Sequence, residues 1–201
     1  MKSVLISIQP QWCELIASGK KTIEVRKSAP KEVPFKVYMY ETKAGFIEAV
    51  RGTCPKCAFS RGKIISEFVC DKVDQIIEAT AGICFADKDF NILDGENELK
   101  KTCLSVDELA NYLGEDKNGL CKNGYAWHIS DLKIYDKPRE LGEFYTICNK
   151  YGDDSCGGCP YLAVEQCSFP CDDCVDTWCS VDNIKPITRP PQSWCYVEEL
   201  Q

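Results

Sequence analysis

The chain has 201 residues, 44% of them hydrophobic and 27% charged. That is the composition of an ordinary globular protein, able to bury a core in one domain or in one domain with a sizeable insertion. No apolar run approaches the length of a transmembrane helix, and the opening MKSVLISIQPQW does not read as a secretory signal, so a cytosolic chain is expected.

The net charge of −7 is unevenly spread. Residues 1–63 carry 12 Lys/Arg against 5 Asp/Glu, whereas residues 64–201 carry 12 against 26. The basic part can hold a polyanion locally, while the acidic remainder discourages indiscriminate binding.

In chain order, SVLISIQ (3–9) alternates as a strand does. Pro10 suits the first turn of a helix in which Trp12, Leu15 and Ile16 share one face, and Gly19 suits its left-handed end. Residues 22–26 alternate again, with Thr22, Glu24 and Arg26 on one face and Ile23 and Val25 on the other. Pro34 precedes a strand in FKVYMYETK, 44–62 reads as a long loop, and 62–77 reads as one further strand. The polar segment 80–122 holds one short helix, SVDELANYLG, in which Ser105 and Glu108 have capping-box spacing. Tyr125 to Tyr135 reads as one strand, and Trp194 to Val197 as the last. Mostly short strands, one early helix and a late cysteine-rich segment predict an α+β, mainly β fold: a small β-barrel with elaborated loops.

The stretch GKKTIEVRK (19–27) sets four cations around one carboxylate. Lys21 offers a point cation, Arg26 a planar fork for phosphate or carbonyl oxygen, and Glu24 a carboxylate that can hold either cation or take a proton. The competing reading is a solvated edge strand whose charges deter aggregation. Strict alternation sets Lys21 opposite Glu24, so it joins Glu24 only if the turn after Gly19 rotates it. Trp12 and Trp194 are candidates for stacking on a base or for core packing, Gln9 and Gln192 for reading base edges, and Ser193 for contacting phosphate. His128, the only histidine, reads as a wall residue, because no nucleophile is positioned with it.

Fifteen cysteines, an odd number, cannot all pair within one chain. Seven fall within 148–179, where Cys156/Cys159 and Cys171/Cys174 form two CxxC pairs. Such knuckles suit a closed, structural zinc site, with Cys148, Cys167 or Cys179 as substitutes for one ligand. Disulfides and an iron–sulfur cluster are the competing readings. Cys54 and Cys57 offer half of a second site or free thiols, and Cys13, Cys70, Cys84, Cys103, Cys121 and Cys195 read as small hydrophobes or chance thiols.

Gly19, Lys21, Glu24 and Arg26 together meet the signature G-x-K-x-x-E-x-R, and ISIQPQWCELIASGKKTIEVRK resembles the opening of the ASCH domain, a PUA-like β-barrel family. GKIISEFVCDKV, GYAWHISDLKIY and RPPQSWCYVEEL resemble the later strands of ASCH proteins common in phages and gut Firmicutes. The resemblance covers roughly 1–43, 62–78, 124–145 and 186–200. It implies a PUA-like barrel, set over 1–147 and 180–201 with loop insertions at about 44–61 and 79–123, while the cysteine spacing sets a zinc-stapled insertion at 148–179. It also implies a cleft beside the barrel that binds RNA, a nucleotide or a modified nucleoside. The ligand-binding residues would be Gly19, Lys21, Thr22, Glu24, Arg26, Gln192, Ser193 and Trp194. Some relatives remove acyl groups from modified cytidine and others are credited with ribonuclease activity; in either chemistry Lys21 and Glu24 would be the catalytic pair. In the amidohydrolase branch a Thr stands where Glu24 stands here and a second Glu comes from a connecting segment, for which Glu96, Glu98 and Glu108 are the acids at hand. A third reading makes the cysteine-rich insertion a contact for a protein partner.

Overall fold

The computed structural model describes residues 1–43, 62–79, 82–117, 119–146, 162–164, 177–179 and 185–198. The first strand, β1 (Ser3–Ile8), runs into α1 (Pro10–Ala17), which has Pro10 in its first turn. Gly19 follows with φ +72° and turns the chain into β2 (Ile23–Arg26). Next come β3 (Phe35–Glu41), β4 (Ile64–Cys70), β5 (Val73–Ala79) and β6 (Gly82–Ala86). Two helices follow, α2 (Gly95–Thr102) and α3 (Val106–Leu113), then β7 (Gly124–His128) and β8 (Ser130–Arg139). Short pieces β9 (Tyr145–Thr146), β10 (Leu162–Val164), β11 (Thr177–Cys179) and β12 (Lys185–Pro186) precede β13 (Trp194–Val197).

These strands form a seven-stranded sheet, β12-β9-β13-β1-β3-β4-β8, a four-stranded sheet, β2-β7-β5-β6, and the β10–β11 pair. Only β1 and β3 pair in parallel within the large sheet, because α1 and β2 intervene between them in sequence. The expected barrel is therefore not formed. Segment 62–77, read as one strand, breaks at Asp71–Lys72, and 125–135 breaks at Ile129; each sends one half to each sheet. The strands that a barrel would need in one closed ladder are split between two open ones, although the α+β, mainly β content stands.

Three apolar layers bind the pieces. Val4, Ile6, Phe35, Val37, Met39 and Phe68 of the large sheet pack with Cys13 and Ile16 of α1 and Trp127 of the small sheet. Leu5, Tyr38, Ile64 and Phe144 fill the other face of the large sheet. Ile23, Val25, Ile76, Phe85 and Ala126 pack beneath Leu109 and Leu113 of α3. The polar segment 80–122 thus contributes β6, α2 and α3 rather than one helix. The Ser105–Glu108 capping box is present as its spacing predicted.

Nor is the zinc staple found among the described residues. Among the described residues no cysteine belongs to a group with metal-ligand spacing, and the six described cysteine side chains are free thiols. Burial pushes the Cys13 thiol up and the Cys70 thiol up to about 12, which opposes the thiolate that a metal requires. Cys148, Cys156, Cys159, Cys167, Cys171 and Cys174 lie outside the described residues, as do Cys54 and Cys57, and Cys179 enters only through the backbone pairing of β11 with β10. Among the described residues no helix is long and apolar enough to cross a membrane.

Candidate functional site: a cleft floored by buried charges

The end of α1 determines how the charged stretch is presented. The Gly19 N–H donates to Ile16 O, and the N–H groups of Lys20 and Lys21 both donate to Leu15 O, which closes a tight turn that only a left-handed Gly19 completes without strain. That turn rotates Lys21 out of the strand's alternation. Its Nζ comes 3.4 Å from Glu24 Oε2 and donates to Thr102 O at 2.7 Å, at the end of α2. Glu24 Oε1 lies 3.0 Å from an Arg26 terminal nitrogen, which also donates to Ser7 O at 2.7 Å; the other terminal nitrogen donates to Ser193 O at 3.4 Å.

The side chains of Lys21, Glu24 and Arg26 are only 2%, 10% and 6% exposed. A solvated edge strand would not bury them, so that reading fails. β2 pairs with β7 alone, at the edge of the small sheet. Where its other edge would need a partner, Arg26 instead ties it to carbonyls at the end of β1 and the start of β13. Charged side chains bridge the seam between the two sheets, and the cleft opens above them.

The cleft has a volume of about 510 Å³. Its floor includes Lys21, Glu24 and Arg26; Ser7, Ile8, Gln9 and Trp12 form one side, Leu104, Glu108, Asn111 and Tyr112 the other, with Thr42 and Gln192 completing it. The Trp12 ring lies 5.3 Å from Lys21 Nζ, within cation–π reach. Lys27 Nζ lies 5.4 Å from the Tyr112 ring. Arg26 Nε is buried and has no hydrogen-bond partner among the described residues. Burial pushes the Tyr112 hydroxyl above its ordinary value. Hydrogen bonds from the Ser105 N–H and hydroxyl hold the Glu108 carboxyl below its own.

Of the residues named from sequence, Lys21, Glu24, Arg26, Gln9, Gln192 and Trp12 meet at this cleft. Gly19 supports it from the turn, and Thr22 is exposed, its backbone joining Lys101 O and the Ile129 N–H. Ser193 contributes its carbonyl to Arg26. Trp194 is not part of the lining: its Nε1 donates to Ser28 and its ring packs edge-on against Trp127 and Tyr196. Of the three acids, Glu108 reaches the cleft, Glu96 pairs with Lys100 in solvent, and Glu98 pairs with Lys101.

Of the α3 wall, Glu108 was named from sequence as a candidate acid, but Asn111 and Tyr112 were missed, although their signal was present. Glu108, Asn111 and Tyr112 follow i, i+3, i+4 spacing on the face opposite Leu109 and Leu113. His128, read as a wall residue, has Nε2 2.6 Å from Asp74 Oδ2, and the donor atoms of Asp74, Glu98 and His128 lie within 4.8 Å of one another, a grouping that could hold a metal ion.

Among solved structures the chain resembles ASCH from Zymomonas mobilis, with 18% identity, a TM-score of 0.45, and 70% of this chain and 74% of that chain covered. Two point mutants of the same Zymomonas mobilis protein match at 18% identity with TM-scores of 0.44 and 0.43, over 70% of this chain and 77% and 75% of theirs. No curated protein matches the chain. The sequence profile of the ASCH domain matches residues 6–123, a continuous stretch that holds the whole G-x-K-x-x-E-x-R motif, both wall helices and more than half of the chain. The chain belongs to the ASCH domain family.

Proposed function

We propose that this protein binds nucleic acid through a single base-bearing unit, a modified nucleoside or one nucleotide of an RNA, held in the cleft above Lys21, Glu24 and Arg26. Membership of the ASCH family supports a general nucleic-acid-binding role. The observation that carries the finer reading is the buried charge line at the base of a cleft of about 510 Å³, within the ~300–1,000 Å³ of small-molecule sites. Desolvating three charged side chains at a stability cost makes sense where a ligand is to be read by fixed donors and acceptors.

Trp12 and Tyr112 offer aromatic faces for the base, Gln9, Gln192 and Asn111 offer amide edges, and the unpartnered Arg26 Nε offers a donor to a carbonyl or phosphate oxygen. Lys27, beside the Tyr112 ring, supplies positive potential there.

A hydrolytic reading uses the same cleft, with Lys21 and Glu24 moving protons on an acylated base or a phosphodiester. The close approach of Lys21 Nζ to Glu24 in a secluded site favours it. Against it, Thr102 O and Glu24 Oε2 hold Lys21 Nζ as a positioned donor.

Calorimetric titration with nucleosides, mononucleotides and short RNAs at two salt concentrations tests the reading. A cleft ligand binds with an affinity that changes little with salt, whereas a backbone-tracking RNA loses affinity steeply as counterions are released. Absence of binding by all three classes would refute the proposal.

A further inference from the structure

We propose that Asp74, Glu98 and His128 form a binding site for one divalent transition-metal ion, separate from the cleft and independent of what the cleft binds. The three come from three elements: Asp74 from β5, His128 from the neighbouring β7, and Glu98 from α2, which packs over that sheet. Pairing of β5 with β7 sets Asp74 opposite Ala126, two residues before His128, so their side chains project from one face of the sheet. A donor atom from each lies within 4.8 Å of the others.

Two independent facts indicate that the group is unfinished. Asp74 is 1% exposed and Glu98 7% exposed. Yet Asp74 Oδ1 and Glu98 Oε2 are both buried without a hydrogen-bond partner among the described residues. A buried carboxylate oxygen left unpaired is costly, and two carboxylates that each carry one, grouped with an imidazole, form a donor set for a borderline cation. Carboxylate oxygen and imidazole nitrogen together suit Mn, Fe or Zn.

The present partners of the cluster are displaceable. Lys72 Nζ sits 2.8 Å from Asp74 Oδ2 and Lys101 Nζ 2.7 Å from Glu98 Oε1, with side chains 49% and 37% exposed. Both ammonium groups can swing into water when a dication arrives. The imidazole now faces Asp74 Oδ2 through Nε2; to ligate, it carries its proton on Nδ1 and gives the Nε2 lone pair to the ion, so no electron transfer or further reactant is involved. Water fills the positions that the protein leaves open.

The ion would pin α2 to the small sheet. Thr102, the last residue of α2, supplies the carbonyl that accepts from Lys21 Nζ, so the site would also steady the anchor of Lys21 at the cleft floor.

The test is a Mn2+ titration of the full chain under reducing conditions, read by electron paramagnetic resonance with detection of 14N coupling. Mn2+ is chosen because its hardness disfavours the thiols. The expected result is one bound Mn2+ with a single imidazole coupling. His128→Gln, at a part-exposed position, should keep the fold by circular dichroism, abolish the coupling and weaken binding by roughly tenfold or more, as losses around metal ligands do. Glu98→Gln should weaken binding similarly. Lys72→Ala should strengthen it, because a competing cation is removed. No bound Mn2+, bound Mn2+ without nitrogen coupling, or affinity unchanged in His128→Gln would overturn the proposal.

Discussion

Replacing Glu24 by Gln keeps the shape of the charge line and removes its one negative member. Lys21 and Arg26, with side chains 2% and 6% exposed, then lie on either side of position 24 without a counter-charge. Breaking a buried ion pair by removing one partner costs ~3–5 kcal/mol. Here Thr102 O and Ser7 O still accept from the two cations, and the open cleft admits water, so the low end applies, about 3 kcal/mol. For a chain of this size each kcal/mol moves the melting midpoint by ~2–4 °C, which gives a fall of roughly 6–12 °C. Thermal and urea denaturation followed by circular dichroism read the loss, and Glu32→Gln is the control. Glu32 pairs with Lys2 in solvent, the two side chains being 69% and 54% exposed, and its removal should leave the midpoint in place. A Glu24→Gln protein as stable as that control would refute the claim that the buried charges hold the two sheets together.

Trp12→Ala should weaken nucleoside binding roughly 5- to 150-fold, the ~1–3 kcal/mol of one base–aromatic stack, with the fold intact. Trp194→Ala should instead cost ~2 kcal/mol of stability, less than the ~3–5 kcal/mol of a fully buried ring, and leave affinity unchanged; calorimetry paired with denaturation separates the two. Ser105→Ala removes the cap that accepts the Glu108 N–H and should cost about 1 kcal/mol, read by urea denaturation. At Glu67, burial pushes the carboxyl up, but hydrogen bonds from Tyr135, Lys36 and Lys133 outweigh it and hold the group below its ordinary 4.5. Its stabilisation is therefore present above about pH 4.5 and lost as pH falls through the lower folded value. Glu67→Gln should flatten that acid limb of a stability–pH curve, and an unchanged limb would contradict the assignment.

How far these features were legible from sequence follows from the range of the interactions. Local rules placed β1, α1, the Gly19 turn, β2, the Ser105 cap and β13, since each depends on neighbours within a few residues. The motif's chemistry was legible in the same way: Glu24 and Arg26 share a face by alternation, and Gly19 brings Lys21 to them. The division into two sheets was not. Nothing local distinguishes a strand through Asp71–Lys72 or Ile129 from a break there, because the break is imposed by which distant strand each half pairs with. Trp194 and Gln192 show the same limit: adjacent but one in sequence, one turns into the aromatic packing and the other to the cleft. The Asp74–Glu98–His128 group joins residues 24 and 30 positions apart, and no spacing rule reaches that far.

The most direct test of the cleft is equilibrium dialysis against a panel of N4-acylated cytidines, unmodified nucleosides and short RNAs, with both compartments read by mass spectrometry. The unaltered chain is run beside Lys21→Ala and Trp12→Ala, each shown to be folded. The account predicts that the unaltered chain retains one base-bearing ligand and that both variants release it; a changed mass in the retained ligand would make the cleft catalytic as well. Retention of no ligand, or equal retention by all three proteins, would contradict it.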